Sequence, residues 1–231
     1  MRKLKRKFQL FAEAVGSPTT GFIKQGSIDI GVLLEHFSID DVKVGEIGYV
    51  EIPAVTLVFD LAGSSVSIRN NGPHAFVDRF GEVFRELSNL IYRFNGIIEK
   101  FPGDGISAHF LKRDDEADLL SASRRAVRAA EHMRHLMEDK GYRGQFRISM
   151  WTGKDTIAAV FGSEHHHEVI SIGDGVNIAH KLEKFVKSRG YVIGMDDTVA
   201  TQYKFEVGKV SVQEKDLILG DGSYTTWHGV K

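Results

Sequence analysis

The sequence predicts an α+β domain: a ferredoxin-like βαββαβ sheet with helices on one face, followed by extra C-terminal strands. Two observations predict this fold. Short apolar runs alternate with two long amphipathic segments in the order strand, helix, strand, strand, helix, strand. The composition, with 42% hydrophobic and 26% charged residues among 231, is ordinary for a globular domain. Because such sheets serve many chemistries, function has to be argued from individual residues.

The first four elements are predicted between residues 55 and 111. VTLVFD (55–60) is a continuous apolar run typical of a central strand, and it ends in an aspartate. A stretch rich in Gly, Ser and Asn follows and is predicted to be a loop. Apolar residues at helical spacing then predict a helix over residues 73–93. NGIIEKF and ISAHFL, joined by the tight turn PGDG, predict a hairpin with Asp104 at its tip.

The second half of the chain continues the pattern. An apolar face rich in alanine and methionine predicts a helix from about 115 to 140. QFRISMWTG (145–153) predicts the fourth strand of the βαββαβ unit. IAAVFG (157–162) and HEVISIG (167–173) predict two further short strands, and GDGVNIAHKLEKFVKSRG (173–190) predicts a third helix.

Charge and composition exclude several classes of function. Residues 1–52 are predicted to be a basic, partly irregular N-terminal extension, and residues 53–231 the domain that carries the chemistry. The formal net charge of −1 argues against a nucleic acid partner. No apolar run reaches the roughly 20 residues that cross a bilayer, so membrane insertion is not expected. The absence of cysteine excludes disulfides and thiol nucleophiles and, with no secretory signal, predicts a cytoplasmic protein.

Two aspartates are the leading candidates for metal ligands. Asp60 ends the first strand and Asp104 lies on the hairpin turn, and these strands are neighbours in the predicted sheet. Paired carboxylates suit hard divalent cations such as Mg²⁺ or Mn²⁺. The structural alternative is that both aspartates serve only their turns, a role that aspartate often has.

The loop LAGSS directly follows Asp60 and is a candidate phosphate site. Its small residues Gly63, Ser64 and Ser65 let backbone N–H groups approach a triphosphate. A Gly/Ser loop alone is a weak signal. Its position next to a candidate metal ligand makes it informative, because phosphate oxygens bridge the ions of two-metal sites.

Three motifs together resemble the catalytic domain of class III adenylyl and guanylyl cyclases, over about residues 54–200. They are FDLAGSS, KFPGDG and IGDGVNIAHKLE. The resemblance implies two Mg²⁺ or Mn²⁺ ions held by Asp60, Asp104 and the backbone carbonyl of Leu61. It implies that Asn177 orients the ribose. Lys181 stands where the family usually has an arginine that stabilises the transferring phosphate, so a planar fork is replaced by a point charge.

The resemblance also implies the reaction and the assembly. A nucleoside triphosphate would be converted to its 3′,5′-cyclic monophosphate and pyrophosphate. The active sites would lie at the interface of a head-to-tail homodimer, with the metal aspartates from one protomer and the residues at 177 and 181 from the other.

The two positions that read the base in the family differ in what they predict here. Lys100 occupies the position of the family's base-reading lysine. Ile170 stands where purine-specific members have an aspartate or threonine, and it can form no hydrogen bond. An apolar wall favours a pyrimidine, and a lysine that only donates favours uracil, so UTP is expected first and CTP second. An adenylate or guanylate cyclase is the alternative.

The short architecture is similar to the stand-alone bacterial pyrimidine cyclases of Pycsar anti-phage systems, which implies a separate effector activated by the cyclic nucleotide. Two rival readings remain. One is a cyclase-like domain that binds nucleotide without turning it over, and Lys181 and Ile170 favour this alternative. The other is a diguanylate cyclase or polymerase palm, which would carry a different acidic signature at the turn.

Overall fold

The computed structural model describes residues 49–113, 115–163 and 166–231. Residues 1–48 of the predicted N-terminal extension lie outside the described residues. The strands are β1 (Tyr49–Glu51), β2 (Ala54–Leu61), β3 (Ile97–Lys100), β4 (Gly105–Leu111), β5 (Phe146–Gly153), β6 (Ile157–Ser163), β7 (His166–Ile172), β8 (Ile193–Met195), β9 (Val212–Ile218) and β10 (Tyr224–Val230). The helices are α1 (Ser64–Arg93), α2 (Leu120–Asp139), α3 (Asp174–Ser188) and α4 (Asp197–Val207).

Seven of the strands form one mixed sheet in the order β3-β4-β2-β5-β8-β10-β9. Its first four strands are the predicted βαββαβ unit, all antiparallel, and β8 to β10 are the extra C-terminal strands. β8 joins parallel to β5. The predicted strands β6 and β7 exist but leave this sheet and pair with β1 in a second, three-stranded sheet. Residues 49–51, assigned by sequence to the extension, therefore pair with the body of the fold.

β2 is apolar throughout because both of its faces are covered. Val55, Leu57 and Phe59 lie in the main core with side chains of α1, α2 and α4. The alternate residues of β2 face α3, which packs on the opposite side of the sheet. On that side the Ser149 hydroxyl of β5 donates to the Ala179 carbonyl of α3 at 2.6 Å. The two helices of the βαββαβ unit share one face as predicted, whereas α3 covers the other face.

Helix α1 begins earlier than the sequence predicted. The stretch 64–71, expected to be a loop, is helical, and the helical dihedral angles are interrupted only at Gly72 (φ 82°, ψ 161°). Pro73 then starts the segment that apolar spacing did predict, at a helix position that tolerates proline. The prediction failed over 64–71 because Val66 and Ile68 are exposed there, so the segment carries no apolar face that a pattern search would detect.

Helix α2 begins at Leu120, five residues after the predicted start. Before it, the Glu116 carboxylate accepts hydrogen bonds from the Arg113 backbone N–H and from Arg125, which stabilises an irregular turn instead of a helical one. None of the four helices in the described part of the chain is long and apolar enough to cross a membrane.

Candidate active site

Asp60 and Asp104 lie next to each other where β2 meets the β3–β4 turn. Asp60 is the register partner of Gly105 in β4, and Asp104 directly precedes that glycine. A Cβ atom at position 105 would lie 2.7 Å from the Phe59 carbonyl oxygen. Glycine at 105 therefore allows the turn to approach β2 closely enough to bring the two aspartates together.

Asp60 is a partly buried carboxylate with a second carboxylate beside it. Burial raises its pKa, and the negative charge of Asp104 raises it further, while Lys187, a hydrogen bond with Glu183, and Arg147 act in the opposite direction. The charged form of Asp60 is thus disfavoured in the folded protein. A cation between the two aspartates would remove that repulsion.

A cleft of about 570 Å³ opens at this point between the sheet and α3. Asp60, Pro102 and Gly105 line one side, and His180, Lys181 and Glu183 of α3 line the other. A cleft of this size accommodates a small molecule. Lys181, which the resemblance assigns to the site of a second protomer, thus also lines the cleft beside Asp60 of its own chain.

Glu183 is a site residue that the sequence analysis missed. Its pKa is raised by burial and by the charge of Asp60, and the two carboxyl groups approach closely enough for a protonated one to donate to the other. Glu183 follows His180 by three residues, so both lie on the same face of α3. That helical spacing was the available signal, but nothing local indicated that this face meets β2.

Asn177 lies one turn before Lys181 on α3, and its side chain is exposed rather than part of the cleft lining. The start of the helix is held tightly against β5: a Cβ atom at Gly175 would lie 2.6 Å from the Gly153 Cα atom. This close approach fixes where Asn177 projects, and within its own chain the structure does not bring Asn177 to the two aspartates.

The candidate phosphate loop is a helix N-terminus rather than a loop. Gly63 is the N-cap of α1 in a left-handed conformation (φ 82°), and Ser64 and Ser65 form the first turn. The amides of Val66 and Ser67 donate to the Gly63 carbonyl at 3.1 and 3.0 Å. The amides before them belong to the group that has no intrahelical acceptor, which makes a helix N-terminus attractive to phosphate. Leu61, just before, is buried with its carbonyl at the end of β2.

The candidate base-reading residues Lys100 and Ile170 lie on strands that contact each other, β3 and β7. Lys100 ends β3 and is partly exposed, with its Nζ atom 3.9 Å from Glu99 Oε1. Ile170 is half-buried in β7 opposite Ala159 of β6. Lys100 pairs with Ser107 and so lies on the side of the sheet that α3 covers, and the amide of Ser171, next to Ile170, is hydrogen-bonded to Glu99, the residue before Lys100.

A buried carboxylate, Glu99, stands between those two strands with 1% of its side chain exposed. Burial alone would raise its pKa, but the hydrogen bond from His109, the His109 charge, the Ser171 backbone N–H and Lys100 together lower the pKa to about 2. The carboxylate is therefore ionised in the folded protein and hydrogen-bonded on both oxygens, as a buried charge must be.

Replacement of Glu99 by Gln is expected to change how stability depends on acid. Because the folded pKa of about 2 lies below the ordinary 4.5, ionised Glu99 stabilises the fold above pH 4.5 and loses this contribution as pH falls towards 2. At pH 7 the free energy of unfolding of the wild type should exceed that of Glu99→Gln by a pH-dependent contribution of roughly 3 kcal/mol. Urea unfolding of both proteins from pH 7 to 2.5 measures this difference. A difference that stays constant over that range would contradict the assignment.

The residues present fit a pair of divalent cations, although they do not form a complete cage. Among residues 49–113, 115–163 and 166–231, no group of three or more His, Asp or Glu side chains is arranged to hold a metal ion alone. Asp60 and Asp104 supply two carboxylates, and the Leu61 carbonyl supplies a further oxygen. Sites for Mg²⁺ commonly use one or two carboxylates and complete the shell with water and substrate phosphates.

Comparison with known proteins places the fold. No protein-family model matches the chain. Over 129 residues, 54% of this chain, it is 30% identical to a protein of Dictyostelium discoideum named adenylate cyclase, terminal-differentiation specific, and it spans about 6% of that protein's length.

Solved structures give the same picture. The adenylyl cyclase CyaB from P. aeruginosa superposes with a TM-score of 0.61 at 18% identity, covering 80% of this chain and 96% of the other. A bacterial light-regulated adenylyl cyclase gives a TM-score of 0.66 at 14% identity, covering 99% of this chain and 63% of the other. The chain has the fold of class III cyclase catalytic domains.

Proposed function

We propose that this chain is a metal-dependent nucleotidyl cyclase that converts a nucleoside triphosphate to its 3′,5′-cyclic monophosphate. The observation that carries the proposal is the pair Asp60 and Asp104, held side by side where β2 meets the β3–β4 turn. The sequence motifs around this pair resemble those of adenylyl cyclases, and the fold is shared with them. A cation pair is what such mutually repelling carboxylates are suited to hold.

In the proposed reaction the 3′-oxygen of the ribose attacks the α-phosphorus. A new bond joins these two atoms, the bond from the α-phosphorus to the bridging oxygen breaks, pyrophosphate leaves, and the hydroxyl proton passes to solvent water. When bound by Asp60, Leu61 and Asp104, the ions supply acidity to the hydroxyl and neutralise charge on the triphosphate.

The remaining work falls to side chains and amides of this chain. Asn177 orients the ribose hydroxyl, and Lys181 stabilises negative charge on the transferring phosphate. The N-terminal amides of α1, at Gly63, Ser64 and Ser65, contact the phosphate tail.

The proposed enzyme is a head-to-tail homodimer. Asn177 is exposed and outside the lining of the cleft that holds Asp60 in its own chain, which supports a site completed by a second copy. Each protomer would then give its aspartates to one site, and Asn177 with Lys181 one turn further along α3 to the other.

The direct test is product formation from the four common triphosphates with Mg²⁺ or Mn²⁺. Release of pyrophosphate and the appearance of the cyclic monophosphate should exceed a blank that carries Asp60→Ala. A chain that binds triphosphate but releases no more pyrophosphate than the blank would instead be a nucleotide-binding regulatory domain, the alternative that the lysine at 181 and the isoleucine at 170 favour.

We propose UTP as the preferred substrate and CTP as the second, with a cyclic pyrimidine nucleotide that activates a separate effector in anti-phage defence. Ile170 presents no hydrogen-bonding group, and a purine amino group buried against it would be unsatisfied, which costs about 1–3 kcal/mol. Turnover of ATP or GTP at least equal to that of UTP would overturn this preference and support an adenylate or guanylate cyclase.

Substitution of Ile170 by Asp is expected to move selectivity towards ATP by about tenfold relative to UTP, because an aspartate accepts a hydrogen bond from the adenine amino group. The ratio of kcat/KM for the two substrates measures the change. Ile172→Asp, two residues further along the same strand at an exposed position, is the matched control and should leave the ratio unchanged. An equal shift in both variants would mean that added charge, and not base contact, is responsible.

A further inference from the structure

A β-bulge in β3 turns Glu99 and Lys100 to the same side of the sheet. Ile97 and Ile98 pair with His109 and Ala108 of β4, and Lys100 then pairs with Ser107, so the register shifts at residue 99. In a regular strand, neighbouring side chains point to opposite faces. The extra residue instead leaves Lys100 opposite Ser107, on the face that α3 covers. Bulges often redirect side chains next to active sites in this way.

The Glu99 carboxylate fills this bulge and links three parts of the fold. Its Oε1 atom accepts the Ser171 backbone N–H of β7 at 2.7 Å. Its Oε2 atom accepts the Ser107 hydroxyl at 3.0 Å and lies 3.3 Å from His109 Nε2. Ser107 Oγ in turn lies 3.3 Å from His180 Nε2 on α3.

The directions of these hydrogen bonds follow from the charge of Glu99. An ionised carboxylate only accepts, so His109 donates to it from Nε2, and the Nδ1 atom of the same ring lies 3.2 Å from the Thr56 hydroxyl oxygen. The Ser107 hydroxyl donates its hydrogen atom to Glu99, so its oxygen can accept a hydrogen bond from His180. A glutamine at 99 would turn an NH₂ group towards at least one of these donors and break the sequence of bonds.

One oxygen of Glu99 faces both candidate base-reading positions. Oε1 holds the amide of Ser171, the residue after Ile170, and lies 3.9 Å from Lys100 Nζ. The same carboxylate thus links the two strands and lies beside the ammonium group of Lys100. An ammonium only donates hydrogen bonds, so it distinguishes a base edge with a carbonyl from one with an amino group.

We propose that Glu99 is a positioning residue for base selection, which holds the Lys100 ammonium beside Ile170 and thereby favours a carbonyl-edged base, uracil over cytosine or guanine over adenine. This inference rests on the proposed function, because it concerns base selection by the same proposed enzyme. Glu99 acts through Lys100 and β7 and does not itself touch the nucleotide.

The test measures equilibrium binding of 3′-deoxy-UTP and 3′-deoxy-CTP with Mg²⁺ by calorimetry, and of the 3′-deoxy purine pair in parallel. These analogues lack the attacking hydroxyl, so binding is read without turnover. Wild type should bind the carbonyl-edged analogue of a pair about tenfold more tightly, the size of one charged hydrogen bond. In Glu99→Gln the two analogues of a pair should differ in affinity by no more than about twofold, and the binding of tripolyphosphate should be unchanged.

The matched control is Glu131→Gln, which alters another buried carboxylate. Glu131 lies on α2 on the opposite face of the sheet, with Arg134 and Tyr203 as its partners, and its replacement should preserve the ratio. If Glu99→Gln does not fold, Ser107→Ala removes one donor to the same carboxylate and should lower the ratio by about threefold.

Three outcomes would overturn the inference: a wild type without preference, an unchanged ratio in the Glu99 or Ser107 variant, or an equal loss in the Glu131 variant. The parent proposal fails separately. A chain that selects the carbonyl edge through Glu99 but forms no cyclic product refutes the cyclase and keeps the positioning role.

Discussion

Asp60→Asn should lower cyclic nucleotide formation by about a thousandfold or more and should also raise the free energy of unfolding. The activity falls because a cation ligand is lost, and such charge stabilisation contributes several kcal/mol to the barrier. Stability rises because burial and Asp104 raise the pKa of Asp60 in the folded chain. The ionised carboxylate therefore destabilises the fold at pH 7, and a neutral amide of the same shape removes that cost.

Asp216→Asn is the matched control with the opposite signature. Burial acts to raise the pKa of Asp216, but hydrogen bonds from Trp227 and Arg189 outweigh it and the pKa is lowered. This carboxylate stabilises the fold, so its replacement should lower the free energy of unfolding and preserve the rate. Product assays with urea unfolding of both variants decide the matter. An active Asp60→Asn would refute the metal site, and an inactive, less stable one would indicate a structural role.

Asn177→Ala should lower turnover by about a hundredfold. Co-expression of this variant with the Asp60→Asn variant should restore part of the activity. The first effect is typical of the loss of one group that stabilises a transition state. The second follows from shared sites. When the two variants are co-expressed equally, half of the dimers are mixed, and one of the two sites in each is intact. About a quarter of wild-type activity should return.

The control for this experiment is a mixture of Asp60→Asn with Asp104→Asn. Both aspartates would come from one protomer, so every site in this mixture carries a defect and no activity should return. Recovery with Asp104→Asn, or none with Asn177→Ala, would contradict a head-to-tail dimer with shared sites.

The structure also explains which expectations were accessible from the sequence. The run VTLVFD predicted a central strand because continuous burial needs continuous apolar character, and β2 is covered on both faces. The turn PGDG predicted the hairpin because tight turns have strong local preferences. The helical stretch 64–71 escaped prediction because its apolar residues are exposed and therefore follow no pattern.

By itself the sequence determined the order of the elements and that Asp60 and Asp104 lie close together. Both follow from local patterns and from the pairing of neighbouring strands in the sheet. Only the tertiary structure decided that α3 covers the opposite face, that Glu183 meets Asp60, and that a bulge turns Lys100 to the side of the sheet that α3 covers. A bulge depends on the register of a partner strand, and a contact between α3 and β2 joins residues more than a hundred positions apart. Such features arise from packing, which no local period encodes.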